Sequence, residues 1–96
     1  MRIIGRLPDA RMQITVFDND GRFPVQFERG GLTQTYRFRK GDRLSNLGHL
    51  RTYVDEEFRQ SVLQQFEEMQ RIHSAVRDRI APPSAADDGG DLPTIV

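Results

Sequence analysis

The sequence predicts an α+β fold, in which a small antiparallel meander of three to four strands is followed by one long amphipathic C-terminal helix (ββββα). Apolar and polar residues alternate over residues 12–39, and short turn sequences interrupt the alternation. From residue 54 the apolar residues recur every three or four positions, which is the helical period. We therefore expect a single α+β domain over residues 1–80, with strands in 1–39, a connector in 40–53 and the helix in 54–80.

The first strand segment, residues 2–7, is a short run with two β-branched residues that ends at the turn pair Pro8-Asp9. Alternation predicts three more segments, at residues 12–17, 23–28 and 32–39. The sequences Asp18-Asn19-Asp20-Gly21 and Gly30-Gly31 are typical of tight hairpin turns, so neighbouring segments should pair antiparallel. Pro24 has no amide hydrogen to donate to a ladder. It therefore predicts that the third segment lies at a sheet edge or begins just after Pro24.

The helical segment has a clear apolar face. At about 100° per residue its large apolar side chains fall within an arc of roughly 120°, the width of a face that packs on a core. They are Val54, Phe58, Val62, Phe66, Met69, Ile72, Val76 and Ile80. Thr52 or Asp55 can supply the N-cap oxygen. In the connector, Leu44, Leu47 and Leu50 at three-residue spacing predict one helical turn that closes the end of the sheet.

Composition restricts the classes of function. The 14 basic and 14 acidic residues cancel, so overall charge does not point to nucleic acid or to an acidic membrane. Residues 1–51 nevertheless hold ten basic and five acidic side chains, whereas residues 52–96 hold four and nine. The chain has no cysteine, and no apolar run approaches the ~20 residues of a membrane span. We expect a cytoplasmic protein, with a disordered acidic tail over residues 81–96, where Pro, Gly, Ala and Asp predominate.

No residue pattern indicates catalysis. The two histidines, His49 and His73, have no partner at the spacing of a metal site. No serine stands in the strand-to-helix elbow of a hydrolase. We predict that the protein is not an enzyme and that it uses no cofactor, metal or small-molecule substrate.

The length of the helix predicts a surface for a partner. The helix would extend ~39 Å, against ~20 Å for strands of six residues, so about half of its apolar face would extend past the sheet. We expect this half to bind another protein or a second copy, as in a subunit or accessory factor of a larger assembly or in a homodimer. The predicted helix contacts are Phe66, Met69, Ile72, His73, Val76 and Ile80, and the predicted tail contacts are Leu92, Ile95 and Val96. Paired helices would bring two His73 side chains together and make association sensitive to pH.

The alternative is a single-stranded nucleic-acid-binding module. The polar face of the meander is rich in threonine, glutamine and arginine, and Phe17 lies near one end of that face. Arginines can bind phosphates there while the phenylalanine stacks on a base. The residues predicted for this role are Arg11, Thr33, Thr35, Arg37 and Arg39. Nucleic-acid binding should weaken steeply with salt, whereas apolar helix docking should not.

Overall fold

The computed structural model describes residues 1–80. Four strands form one antiparallel sheet in the order β1-β2-β3-β4, and two helices follow. The elements are β1 (Arg2–Leu7), β2 (Gln13–Asp18), β3 (Arg22–Arg29), β4 (Leu32–Arg39), α1 (Leu47–Tyr53) and α2 (Glu56–Ile80). The predicted α+β class and its order are confirmed, and the shorter helix α1 precedes the long one.

The described chain comprises two compact units, of which the first is Met1–Phe66 and the second begins at Glu67. The long helix α2 contributes residues to both units. Within residues 1–80, no helix has the combination of length and apolar character that crossing a bilayer requires.

Tight turns determine the register of the sheet. Asn19 and Arg22 exchange two backbone hydrogen bonds of 3.0 and 3.1 Å around the β2–β3 turn, in which Asp20 has a φ of 54°. Gly30 and Gly31 form the β3–β4 turn with φ of 57° and 82°, a left-handed conformation that glycine adopts without strain. Both turns lie where the sequence predicts them. In β2, β3 and β4 the side chains alternate between two faces in one register. The β1–β2 register shifts between Ile3 and Gly5, so Ile3 and Arg6 lie on the same face.

The prediction that Pro24 marks an edge strand is wrong. β3 is an interior strand, paired with both β2 and β4, and Pro24 lies within it. The β2–β3 register runs to the pair Val16–Val25, directly after Pro24 in the sequence, and pairing resumes at the Asn19–Arg22 bridge. Amide directions alternate along a strand, and the Arg22 N–H points toward β2, where it bonds to Asn19. The nitrogen of Pro24 therefore faces β2 in the gap between these two pairs, where the ladder is interrupted.

One face of the sheet, which we call the covered face, packs against the start of α2. The ring of Phe58 lies edge-to-face against three aromatic rings of the sheet, with centroids 5.3, 5.3 and 6.1 Å away: Phe27, Tyr36 and Phe38. Gln34 is buried on the same face, and its Nε2 donates to the Val62 carbonyl over 3.0 Å. The buried apolar side chains are Leu7, Met12, Ile14, Val16, Phe23, Val25, Phe27, Leu44, Leu50, Val54, Val62 and Phe66.

The segment predicted as a connector contains α1, which has seven residues rather than a single turn. Asn46 caps its start, because the His49 N–H donates to Asn46 Oδ1 over 2.9 Å. A Cβ on Gly5 would lie 2.7 Å from a methyl group of Leu47. Glycine at this position therefore allows α1 to approach β1 closely.

The long helix begins later than predicted. Val54 is the C-cap residue of α1 and is 1% exposed, so it belongs to the core and not to the first turn of α2. Asp55 supplies the N-cap, and its Oδ1 accepts a hydrogen bond from the Phe58 N–H over 2.9 Å. Of the two predicted caps, Asp55 therefore has this role.

Candidate interaction surfaces

The second unit exposes a row of apolar side chains on α2. We call this row the C-terminal stripe, and it comprises Met69, Ile72, His73, Val76 and Ile80. The exposed fractions of Ile72, Val76 and Ile80 are 50%, 37% and 72%. His73 is also exposed, and Met69 is half-buried. At about 100° per residue the five positions lie within roughly 100° of arc, so the stripe occupies one face of the helix.

Two parts of the predicted partner surface lie elsewhere. Phe66 is only 1% exposed and belongs to the buried core of the first unit, so it is not accessible to a partner. The tail positions Leu92, Ile95 and Val96 lie outside the described residues. The C-terminal stripe therefore consists of the other five predicted helix contacts.

Charged and polar residues border the C-terminal stripe. At about 100° per residue, Glu68 and Arg79 lie along one border and Gln70 and Arg77 along the other. Glu68 accepts a hydrogen bond of 3.1 Å from the Arg71 guanidinium, and this bond holds the pKa of the Glu68 carboxyl below its usual value. One border therefore has an acidic residue toward its N-terminal end and a basic residue toward its C-terminal end.

The first unit presents a second surface, the face of the sheet opposite the covered face, which we call the open face. By strand register it carries Ile3, Arg6, Gln13, Thr15, Phe17, Arg22, Pro24, Gln26, Glu28, Thr33, Thr35, Arg37 and Arg39. Of these, Thr15 and Pro24 are buried. One row of paired residues crosses all four strands, in the order Arg6, Thr15, Gln26 and Thr35. Phe17 is half-buried near one end of the face. Four of the five residues predicted to bind nucleic acid, all except Arg11, lie on this face.

The arginines of the open face have no ionic partners within residues 1–80. Arg6, Arg22, Arg37 and Arg39 are all exposed, and within residues 1–80 none of them lies within 4 Å of a carboxylate. Arg22 and Arg39 are directly opposite each other in the β3–β4 register. Glu28 is the one acidic residue of the open face, and it lies about 20 Å along β3 from Arg22. Positive charge is therefore concentrated at one end of the face.

Arg11 is separate from these residues, in the loop between β1 and β2. Its guanidinium donates to Asp9 over 2.7 and 3.0 Å and to Glu56 over 2.9 and 3.1 Å. Asp9 also accepts a hydrogen bond from Arg59 over 3.1 Å, and its side chain is only 2% exposed. The hydrogen bonds from Arg11 hold the pKa of the Asp9 carboxyl far below its usual value. We call these four residues the Asp9 clamp, because they join the loop to the start of α2.

Within residues 1–80, neither histidine belongs to a group of three or more metal-ligating side chains. His49 Nδ1 accepts a hydrogen bond from the Ser45 N–H over 3.0 Å, which is a local contact beside α1. Across residues 1–80, no group of three or more metal-ligating side chains comes together.

Comparisons of the chain with protein-family models, with curated proteins and with solved structures give no match.

Proposed function

We propose that the protein is a non-catalytic interaction module that associates with a second copy of itself through the C-terminal stripe. The exposure of Ile72, Val76 and Ile80 on one face of α2 carries this proposal. Fully burying one such side chain contributes about 1.5–3 kcal/mol, so their exposure to water is unfavourable in the isolated chain. A pair of helices buries six of them at once.

The borders of the C-terminal stripe favour a second copy in antiparallel orientation. In an antiparallel helix pair, equivalent borders face each other, whereas in a parallel pair opposite borders do. Suppose that the two-fold axis relating the two antiparallel helices passes between His73 and Ser74. Glu68 of each copy then lies level with Arg79 of the other copy. The same alignment places Gln70 level with Arg77, which is a neutral contact. A parallel pair would instead bring Arg77 of one copy close to Arg79 of the other, and like charges repel.

The antiparallel alignment also interleaves the apolar side chains. Met69 of one copy comes level with Asp78 of the other and so enters the space between Val76 and Ile80, as in knobs-into-holes packing. The interface is short, and it must offset an association cost of about 4–15 kcal/mol. We therefore expect reversible self-association, with a dissociation constant on the order of 10–100 µM.

Sedimentation velocity on the full chain, from about 5 to about 500 µM, tests the apolar contact. We expect monomers to convert to dimers across this range, and the double variant Ile72→Asp/Val76→Asp to remain monomeric. Ala75→Asp is the matched control, because residue 75 lies about 120° away from the middle of the stripe. A monomer at every concentration, or equal loss of the dimer in the control, would overturn the proposal.

A charge exchange tests the orientation. Glu68→Arg and Arg79→Glu each place like charges level with each other in the antiparallel dimer, so each variant alone should dimerise several-fold more weakly. An equimolar mixture of the two variants restores two complementary pairs across the interface. We expect the mixed dimer to regain an affinity within about twofold of the original chain. A mixture that dimerises no better than its components would exclude the antiparallel arrangement.

A further inference from the structure

The open face of the sheet has features that self-association does not explain. We infer that this face binds single-stranded nucleic acid, with Arg22, Arg37 and Arg39 contacting phosphates and Phe17 stacking on a base. The inference rests on residues 1–39 alone and is independent of the helix pairing proposed above.

The first argument is the distribution of ion pairs. Around the covered face, Asp18 lies 2.7 Å from Lys40 and 3.8 Å from Arg2, and the Asp9 clamp pairs two arginines, whereas Arg29 has no carboxylate within 4 Å in residues 1–80. The four arginines of the open face have no carboxylate within 4 Å in the described chain. Like charges directly opposite each other in a sheet are destabilising, as for Arg22 and Arg39. A phosphate bound between these two guanidinium groups relieves that repulsion.

The second argument is spacing. Arg37 and Arg39 are two residues apart on β4 and point to the same face, so their Cα atoms are about 6.8 Å apart. Arg22 is on the adjacent strand β3, about 4.8 Å from β4. Arg6 is on β1, about 14 Å from β4 across three strand spacings. Three of the arginines therefore lie close together on β3 and the edge strand β4, at one end of the open face. Arg6 lies on the opposite edge strand, β1.

The third argument is the side chains between the arginines. Phe17 is half-buried, with Ile3 opposite it on β1, so its ring is held by the sheet and partly accessible. Stacking on an aromatic ring does not require a particular base. Thr35 is exposed and Gln26 half-buried in the next row, and both can donate or accept hydrogen bonds. A flexible single strand of nucleic acid, in which phosphates and bases alternate, matches this combination of side chains.

The shape of the open face argues against the other polyanions. A four-stranded sheet spans about 14 Å between its outer strands, which exceeds the ~12 Å major groove that admits a helix or a two-stranded ribbon. Duplex DNA therefore fits poorly. An anionic membrane would require a larger apolar area than Ile3 and Phe17 provide on this face. We therefore favour a single strand over a duplex or a lipid surface.

Fluorescence anisotropy with a labelled oligothymidylate of about 20 nucleotides and the full chain tests this inference. We expect the double variant Arg37→Gln/Arg39→Gln to bind at least tenfold more weakly. Its salt slope should be smaller by about 1.4, because each phosphate of a single strand that the protein neutralises contributes about 0.7 to that slope. Arg29→Gln/Arg51→Gln is the matched control, because it removes the same charge away from the open face. Phe17→Leu should reduce affinity about fivefold or more, because leucine keeps much of the apolar surface but cannot stack on a base.

Several outcomes would overturn the inference. Equal weakening by the control variant would mean that overall charge, not the open face, determines binding. Equal affinity for heparin, together with no effect of Phe17→Leu, would indicate a general polyanion surface. Tighter binding to duplex DNA, or binding to anionic vesicles without binding to the oligonucleotide, would assign the face to a different ligand. Circular dichroism of every variant establishes that the fold is retained.

Discussion

The two faces of the sheet are built from the same four strands. They differ in how deeply their aromatic rings are buried and in whether their charged side chains form ion pairs. On the covered face, Phe27 is fully buried against Phe58, and Lys40 and Arg59 belong to ion pairs. On the open face, Phe17 is half-buried and the arginines have no carboxylate partner within residues 1–80. The covered face therefore stabilises the fold, whereas within residues 1–80 the open face leaves its arginine charges unpaired.

Substitution of the aromatic side chains should give the largest difference in the free energy of unfolding between the two faces. Phe27→Ala removes a fully buried ring and should lower the free energy of unfolding by about 3–5 kcal/mol. Phe17→Ala on the open face should lower it by only about 1 kcal/mol, because that ring is half-buried. Denaturant unfolding at pH 7 measures both changes, and Phe27→Leu serves if the alanine variant does not fold. Equal losses would mean that the two faces are equally important for stability.

Neutralising one acidic residue at a time should give the next largest difference in the free energy of unfolding. Asp9→Asn removes the charge that holds Arg11 and Arg59, and should lower the free energy of unfolding by about 1–3 kcal/mol, since both arginines remain partly accessible to water. Glu28→Gln, the matched change on the open face, should change it by less than about 0.5 kcal/mol. The same denaturant measurement compares them. A larger loss for Glu28→Gln would contradict a structural role for the Asp9 clamp.

Acid should act mainly through the ion pairs. The Arg11 hydrogen bonds hold the pKa of Asp9 below its usual value, and Lys40 and Arg11 lower the pKa of Asp18 and Glu56 in the same way. The stabilisation from these carboxylates is complete above the ordinary carboxyl pKa of ~4 and is lost as the pH falls toward the lowered values. We expect the free energy of unfolding to change little between about pH 6 and about pH 5, and to fall below about pH 4. The decrease should be shallower in Asp9→Asn.

The smallest expected effect is an increase, rather than a decrease, in the free energy of unfolding. Arg39→Thr removes one of the two arginines that oppose each other across β3 and β4, and threonine suits a strand. We expect the free energy of unfolding to rise by about 0.3–0.5 kcal/mol at low salt and by less at high salt. Thermal unfolding at two ionic strengths measures this effect. A destabilised variant would show that the guanidinium of Arg39 has a structural partner in the full chain.

Short-range patterns predicted most of the fold. The turns at Asp20-Gly21 and Gly30-Gly31, the alternation of the strands and the period of α2 all depend on neighbouring residues. Each appears where the sequence placed it, except that α2 begins at Glu56 rather than at residue 54. The position of Pro24 was predicted wrongly, because an interior strand accepts a proline only where the neighbouring ladder forms no hydrogen bond. The extent of the β2–β3 ladder cannot be read from the residues next to Pro24. The extent of α1 was missed for a similar reason, since the close approach of Leu47 to Gly5 joins distant parts of the chain.

The candidate surfaces were predicted less completely. Helical period placed Met69, Ile72, His73, Val76 and Ile80 on one face, but it could not show that Phe66 on the same face is buried. Alternation placed Arg37 and Arg39 on the polar face of the sheet. It could not show that Arg11 instead joins Glu56, 45 residues away. Only the tertiary structure distinguishes arginines with a partner from those without one.

The simple strand order also affects how the chain emerges during synthesis. All four strands pair with their sequence neighbours, so the sheet needs no residue beyond Arg39 to form. Phe66, the last core residue of α2, follows Arg39 by 27 residues. At about 5–20 residues per second, the ribosome adds that segment in roughly 1–5 s. For that interval the nascent sheet exposes its apolar face, which makes it the stage at which the growing chain is most prone to aggregate or to bind a chaperone.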